Sequence, residues 1–97
     1  MKAYLIVRIE IDDVTLLKKY QSIAPGIIEK YHGKFVVRGG FCETLEGPKR
    51  TPRIVVIEFP SVTEAQAYYH SEEYAEARKL RRGIGEFEIV CAEGLEK

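Results

Sequence analysis

The first residues of the chain alternate between two kinds of position. Over Ala3–Ile11 one parity is wholly aliphatic, whereas the other mixes apolar and charged residues. This two-residue period predicts a β-strand with one face in the core. The aliphatic parity consists of Leu5, Val7, Ile9 and Ile11, and the mixed parity consists of Tyr4, Ile6, Arg8 and Glu10.

The apolar positions then change to a three- and four-residue spacing, which predicts a helix. These positions are Leu16, Leu17, Tyr20, Ile23, Ile27 and Tyr31. Asp12 or Asp13 is placed to cap the helix N-terminus. We expect Pro25-Gly26 to kink or split the helix, because proline removes a backbone donor. We expect Gly33 to end it.

A second strand is predicted at Lys34–Arg38, whose sequence is KFVVR. Gly39-Gly40 allows a bend or bulge after this strand, and residues 41–45 are a candidate continuation. Residues 46–52 are polar and rich in turn formers, which predicts a loop.

Residues 53–74 predict a strand, a turn and a helix in immediate succession. The β-branched run Ile54–Ile57 is typical of a buried strand, which Pro60 should end. Ser61 opens an S-x-x-E capping box at the start of a helix. Ser71, followed by two glutamates, is a second N-cap. The pattern therefore predicts two helical segments that meet near Ser71.

The last strand is predicted at Glu86–Ala92, which alternates again, and residues 93–97 form a short tail. The element order is thus β-α-β-β-α-β. Short connections and right-handed crossovers favour an α+β, ferredoxin-like sandwich, with a four-stranded antiparallel sheet and helices on one face. The length predicts that residues 1–97 form a single domain.

The same alternation predicts what lies on the helix-free face of the sheet. In the expected strand order, Arg8 lies between Glu58 and Glu88, which predicts cross-strand ion pairs. An apolar patch on this face predicts a homodimer interface, and the alternative is a mainly solvated face. The expected residues are Tyr4, Ile6, Arg8, Glu10, Val36, Arg38, Ile54, Val56, Glu58, Glu88 and Val90.

Composition narrows the range of partners. The 15 basic and 15 acidic residues give a formal net charge of zero, which argues against nucleic acid or an anionic membrane as a partner. No apolar run approaches the roughly 18 residues of a membrane span. Cys42 and Cys91 form no C-x-x-C motif, so we expect packing thiols, no metal, no cofactor and a cytoplasmic protein.

Several sequence blocks together resemble one known family. The blocks are MKAYLI, KFVVRGG, RIVVIEFPS and YYHSEEY, and the resemblance runs from Met1 to about Glu93. The family is the domain-of-unknown-function family thirteen-thirty, in the dimeric α/β-barrel superfamily. The resemblance implies two ferredoxin-like protomers that pack sheet face to sheet face. It implies no catalytic residues, since the family has no established activity. Superfamily members that degrade haem or act as cofactor-independent monooxygenases offer an analogy of fold only.

The candidate ligand-binding residues are Arg38, Gly39, Glu58, Tyr69 and His70, which we expect around a pocket between sheet and helices. Arg38 can hold a carboxylate in bidentate fashion, and its alternative role is an ion pair beside a bulge. His70 lies at the predicted helix break, where it can act as a general base or can simply be a surface residue.

Two functions follow from these candidates. The first is a non-catalytic homodimer that binds a small organic ligand. The alternative is a cofactor-independent, monooxygenase-like enzyme acting on a small organic acid or aromatic, with Arg38 as the carboxylate anchor and His70 as the base. This alternative requires both residues at one cavity.

Two further groups of residues have a structural interpretation. Tyr20, Tyr69 and Tyr74 are expected as core or interface aromatics whose hydroxyls can line a pocket. The basic run at residues 78–82 is expected to complement a helix C-terminus just before Gly83.

Overall fold

Four strands form one antiparallel sheet in which β1 has a neighbour on each side. The computed structural model describes residues 1–48 and 53–95. Its strands are β1 (Ala3–Glu10), β2 (Lys34–Arg38), β3 (Arg53–Phe59) and β4 (Glu86–Glu93), in the order β2-β3-β1-β4. This order is that of the ferredoxin-like sandwich, so the predicted fold class is confirmed.

Three α-helices cover one face of this sheet. They are α1 (Lys18–Lys30), which follows a 3₁₀ turn at Val14–Leu17, α2 (Val62–Tyr69) and α3 (Glu72–Lys79). Ser61 caps α2 by accepting the Glu64 N–H at 3.2 Å, and Ser71 caps α3 by accepting the Tyr74 N–H at 3.1 Å. The predicted break near Ser71 is therefore confirmed. No helix in the described part of the chain has the length and apolarity needed to cross a membrane.

The core lies between the sheet and the helices. Its buried residues from the sheet are Ala3, Leu5, Val7, Ile9, Val55, Ile57 and Phe59. Those from the 3₁₀ turn and the helices are Leu17, Ala24, Ile27, Ile28, Ala65, Tyr68, Tyr74 and Ala77. The aliphatic parity of β1 thus faces the helices, as its alternation predicts.

The first helix differs from its prediction at Pro25. Asp13 caps the preceding 3₁₀ turn, since its carboxylate accepts the Thr15 N–H at 3.0 Å. The helix α1 then runs without interruption through Pro25, so the predicted split was wrong. Burial of Ala24 and Ile28 on either side of the proline explains the difference, because this packing offsets the lost backbone hydrogen bond.

The end of α1 also differs from its prediction. The residue with a left-handed backbone is His32, with φ 68°, and not Gly33. The N–H of Gly33 donates to the Ile28 carbonyl at 2.8 Å, which closes the helix in a Schellman-like turn. Gly33 is needed for a different reason, because a Cβ there would lie 2.6 Å from Cε1 of Phe59.

Strand register corrects two further expectations. Arg8 lies opposite Glu88, as predicted, but its partner on β3 is Ile54, whereas Glu58 lies opposite Tyr4. The predicted Arg8–Glu58 pair was therefore wrong.

The candidate continuation of β2 was also wrong. Residues 41–45 do not continue β2 and have no regular secondary structure. The positions at 49–52 of the predicted loop and at 96–97 of the predicted tail lie outside the described residues.

A row of apolar side chains crosses the helix-free face from one edge of the sheet to the other. The register places Val37 opposite Val56, Val56 opposite Ile6, and Ile6 opposite Val90. We call these four residues the apolar stripe. Three of them, Ile6, Val37 and Val90, are 39%, 43% and 49% exposed in the protomer.

Replacement of Gly33 tests the packing of the α1–β2 turn on Phe59. Gly33→Ala should lower the free energy of unfolding by about 1–3 kcal/mol, because the new methyl group overlaps Phe59 and Ile28. Gly26→Ala is the matched control in α1, since nothing lies within 4 Å of its added Cβ. The control should be about 0.5–1 kcal/mol more stable than the native chain through helix propensity. Urea denaturation measures both, and equal stabilities for the two variants would contradict the packing.

Candidate functional site

A small apolar cavity lies between the sheet and α1, at the end of the sheet where β3 begins. Its volume is about 50 Å³. The walls are mostly aliphatic and aromatic, and the polar groups in the lining come from two arginines, two tyrosines and a glutamine. The lining residues are Val7, Ile9, Leu17, Tyr20, Gln21, Ala24, Ile28, Phe35, Arg38, Arg53, Val55, Ile57, Tyr68 and Phe87.

Arg38 reaches this cavity because of an extra residue in β2. Phe35 lies opposite Ile57, but the register then shifts, so that Val37 lies opposite Val56 and Arg38 opposite Val55. Since Val55 belongs to the buried face, Arg38 lies on the helix side of the sheet. The expectation that Arg38 lies on the helix-free face was wrong, because a bulge reverses the parity of the residues after it.

Arg38 is also positioned by its own strand. Its guanidinium lies over the ring of Phe35, with Cζ 4.2 Å from the ring centroid. Stacking of this kind holds the planar fork while leaving its N–H groups free to bind an oxyanion. The Arg38 side chain is therefore oriented at the cavity by its own strand, with no acidic partner among residues 1–48 and 53–95.

Arg53 is the second cation of the cavity, and a glycine makes room for it. Gly39 has φ +69°, and a Cβ there would lie 2.3 Å from the Cζ of Arg53. The Gly39 N–H donates to the Ile54 carbonyl at 2.9 Å, which fixes the turn beside β3. The backbone at Gly39, the residue after Arg38, therefore lies against the Arg53 guanidinium. The ligand-binding role predicted for Gly39 stays a prediction, since the group that the structure places against it is the Arg53 side chain.

Neither arginine of the cavity is neutralised by a side chain in the described part of the protein. Within residues 1–48 and 53–95, no carboxylate forms an ion pair with Arg38 or Arg53. Two like charges beside one apolar cavity create a positive potential, which attracts a small anion. The arrangement can therefore bind an oxyanion whose apolar part enters the cavity.

A third arginine lies behind the cavity wall. Arg81 stacks on Phe87, with Cζ 3.9 Å from the ring centroid, and its Nη2 donates to the Tyr74 hydroxyl at 3.2 Å. The Tyr74 hydroxyl lies 2.8 Å from that of Tyr20, which lines the cavity. The Nε of Arg81 is buried and has no hydrogen-bond partner among the described residues. This network links a cation to the wall of the cavity.

Glu58 lies away from the cavity, on the helix-free face. Its side chain is 14% exposed and is held by Lys2 at 3.3 Å, Lys34 at 3.4 Å and the Tyr4 hydroxyl at 3.2 Å. Desolvation opposes ionisation of this carboxyl, but the hydrogen bonds from Lys2, Tyr4 and Lys34 outweigh it and lower the pKa of Glu58. These contacts make Glu58 the centre of a surface ion cluster.

Tyr69 and His70 lie at the α2–α3 break and do not line the cavity that Arg38 lines. Tyr69 accepts a hydrogen bond from Arg78 at 2.6 Å, and the Arg78 guanidinium lies 5.0 Å from its ring centroid. His70 is exposed and stacks edge-on against Tyr69. Of the sequence-predicted site residues, the structure therefore brings together Arg38 and Gly39, and it separates them from Glu58, Tyr69 and His70.

Metal-ligating side chains do not cluster in the part of the chain that the structure describes, where no group of three His, Cys, Asp or Glu could hold an ion. Cys42 and Cys91 are both exposed, so the expectation that they are packing thiols was wrong.

A comparison with known protein families shows which family the chain belongs to. A family described as a domain of unknown function, DUF1330, matches residues 2–95. The chain belongs to the DUF1330 family. The match covers almost the whole chain, and it confirms the resemblance carried by the four sequence blocks. No curated protein matches the chain at a significant level.

Solved structures with the same fold include several distant relatives of this DUF1330 chain. A protein of unknown function from Rhodopseudomonas palustris has a TM-score of 0.78 and 18% identity, over 99% of this chain and 84% of its own. A dimeric protein of unknown function with a ferredoxin-like fold from Bacteroides fragilis has a TM-score of 0.63 and 17% identity, over 96% of each chain. A candidate antibiotic biosynthesis monooxygenase from Nitrosomonas europaea has a TM-score of 0.58 and 12% identity, over 97% of this chain and 90% of its own. At these identities the likeness shows the fold alone.

Sequence reasoning missed Arg53 and gave Arg81 a different role. Arg53 is the first residue of its strand, and strand alternation with Val55 was the signal that could have placed it on the helix side. Arg81 was interpreted as part of a basic run at a helix C-terminus. Nothing in the local sequence indicates that it stacks on Phe87, since that contact joins separate elements.

Proposed function

We propose that this DUF1330 protein is a homodimer that binds a short-chain organic anion in the cavity between sheet and helices. The anion's carboxylate, or a similar oxyanion, binds Arg38 and Arg53 at the edge of the cavity, and a short apolar tail enters it. The proposed ligand is thus a small organic acid, which narrows the small organic ligand that the sequence predicts for a binding protein. A cytoplasmic location stays a prediction from the sequence.

The observation that carries the proposal is a pair of cations that have no acidic partner among the residues that the structure describes. Arg53 is half-buried, and Arg38, although exposed, is held in place by stacking on Phe35. Both line a cavity whose other walls are mostly apolar. A bound oxyanion would neutralise both guanidinium groups with charge-assisted hydrogen bonds, which are among the strongest polar contacts in proteins.

The cavity volume limits the size of the apolar part. Benzene binds in an engineered cavity of about 150 Å³, whereas this cavity has about 50 Å³. A chain of a few carbon atoms fits this space, but an aromatic ring does not. The volume therefore favours a short aliphatic acid over an aromatic one.

The apolar stripe supports the homodimer. Ile6, Val37 and Val90 are 39–49% exposed and lie with Val56 in one continuous row. A second copy that packs its own stripe against this row would remove it from water without enlarging the sheet. The dimeric protein from Bacteroides fragilis, which shares the fold, makes a homodimer a reasonable expectation for this chain too.

The enzymatic alternative receives less support from the geometry. It needs His70 and Arg38 at one cavity, but His70 is exposed and is absent from the lining of the cavity beside Arg38. The candidate monooxygenase from Nitrosomonas europaea shares only the fold at 12% identity. We therefore propose binding, with no catalytic residue assigned.

The homodimer is tested by the mass of the protein in solution. Light scattering at micromolar concentration should give twice the 11.1 kDa protomer mass. Val90→Lys should shift the mass towards the protomer, because a lysine in the stripe would be buried without a partner. Ile23→Lys is the matched control, since Ile23 is 46% exposed on α1 and Val90 is 49% exposed on the sheet. A native mass of one protomer, or dissociation by both variants alike, rules out this interface.

Anion binding is tested by thermal shift with propionate, with propionamide as the neutral isostere. Propionate should raise the midpoint temperature in a saturable manner, since a ligand of the native state stabilises it by mass action, and propionamide should not. Arg38→Gln and Arg53→Gln should each weaken propionate binding about tenfold or more, because a charged hydrogen bond contributes about 1.5–3 kcal/mol.

Arg82→Gln is the control for the loss of one positive charge. Arg82 is exposed beyond the end of α3 and does not line the cavity. This variant should bind propionate like the native chain. The proposal fails if propionamide stabilises the protein as much as propionate does, or if all three variants weaken binding equally.

A further inference from the structure

One wall of the cavity contains a chain of polar groups that runs from a cation to a phenol. Arg81 Nη2 donates to the Tyr74 hydroxyl at 3.2 Å, and that hydroxyl lies 2.8 Å from the hydroxyl of Tyr20. Tyr74 is 1% exposed, so water does not compete for these contacts. Tyr20 lines the cavity, together with the Phe87 ring on which Arg81 stacks.

The arginine fixes the direction of the hydrogen bonds. A guanidinium has donors and no acceptor, so the Tyr74 oxygen must accept from Arg81. Hydrogen bonds in a chain strengthen one another when each hydroxyl accepts from one neighbour and donates to the next. The favoured arrangement therefore has Tyr74 donating to Tyr20. The proton of the Tyr20 hydroxyl is then left to donate to another acceptor.

The Tyr20 phenol also keeps its proton. Burial foremost, followed by the neighbouring Tyr74, raises the pKa of Tyr20 above that of a free tyrosine. The hydroxyl is accordingly a donor over the whole neutral range. Tyr68 also lines the cavity, and its pKa is raised by burial foremost, with hydrogen bonding to Tyr20 among the lesser causes. The Tyr68 hydroxyl is therefore the acceptor within the protein with which a ligand oxygen competes for the Tyr20 proton.

We infer that Tyr20 donates a hydrogen bond to a carbonyl oxygen of the bound anion, so that the cavity prefers short oxo acids to the corresponding unsubstituted acids. This inference rests on the proposed function, since it assumes that the carboxylate lies at Arg38 and Arg53. Tyr20 contacts the ligand directly. Tyr74 and Arg81 are positioning residues that orient the Tyr20 hydroxyl through the chain of hydrogen bonds.

The charge of Arg81 supports this assignment. Its guanidinium is not paired with a carboxylate in the described part of the chain, and its buried Nε has no partner. A cation held in this way polarises the hydroxyls in front of it towards an electron-rich acceptor. A carbonyl oxygen is such an acceptor, whereas the methylene group at the same position of an unsubstituted acid is not.

The test compares pyruvate with propionate, which differ by the oxo group. Isothermal titration of the native protein should give a dissociation constant for pyruvate about tenfold lower than for propionate, as expected for one well-placed hydrogen bond. Tyr20→Phe should abolish this preference, so that pyruvate and propionate bind the variant with equal affinity. Tyr74→Phe should reduce the preference without changing propionate affinity, which a merely structural role would not do.

Tyr31→Phe is the matched control. The Tyr31 hydroxyl donates to Glu73 at 3.0 Å and Tyr31 does not line the cavity, so its loss should leave the preference for pyruvate intact. Because the readout is a ratio of two affinities in one variant, a change in stability alone does not alter it. Equal affinities in the native protein, or a preference that survives Tyr20→Phe, overturn the inference and leave anion binding standing. If neither acid binds, the proposed function and the inference both fail.

Discussion

Val36 is an extra residue in β2, and its presence decides which layer of the protein carries Arg38. Before it, Phe35 pairs with Ile57 on the buried face, and after it Arg38 pairs with Val55 on the same face. Without the bulge, Val37 would face the helices and Arg38 would face away from them. The bulge therefore supplies the apolar stripe with Val37 and the cavity with an arginine in a single step. The assignment of Val37 to the apolar stripe and of Arg38 to the cavity depends on this bulge.

The consequence is a sheet with two different faces. On the helix side, Arg53, Ile9 and Phe87 lie in one row across β3, β1 and β4, so a cation and an aromatic ring flank an aliphatic floor. On the other side, apolar residues form a row with charged residues on either side of it. Among the described residues, the first surface has two arginines without a carboxylate partner, and the second has exposed hydrocarbon. The proposed small anion would neutralise the first, and the proposed second protomer would cover the second.

Much of the fold could be predicted because it depends on local signals. Alternation in β1 gave its buried face, and the Ser61 and Ser71 caps gave the starts of two helices. The errors arose where packing across the chain outweighs a local preference. Pro25 lies inside α1, where Ala24 and Ile28 are buried beside it. The residue with a left-handed backbone is His32, whereas Gly33 provides space that the Phe59 ring occupies.

The candidate site was less predictable, since register and long-range packing create it. The bulge that moves Arg38 leaves no mark in KFVVR, and the contact of Arg81 with Phe87 joins residues whose proximity no spacing indicates. Arg38 and Gly39 were candidates from the sequence because an arginine next to glycines at a strand end is suited to binding an oxyanion, and their role in binding stays a prediction. Glu58, Tyr69 and His70 were grouped with them by sequence reasoning alone, and the fold places them elsewhere.

The central claim is that two guanidinium groups and an apolar cavity form one anion site. Its most direct test is a propionate titration followed by two-dimensional NMR of backbone amides and arginine Nε–H groups. We predict saturable shifts at the Nε–H of Arg38 and Arg53 and at the amides of Phe35 and Gly39, with the exposed Arg82 unchanged. Shifts of equal size at all arginines, or saturable shifts confined to the apolar stripe, would contradict the account.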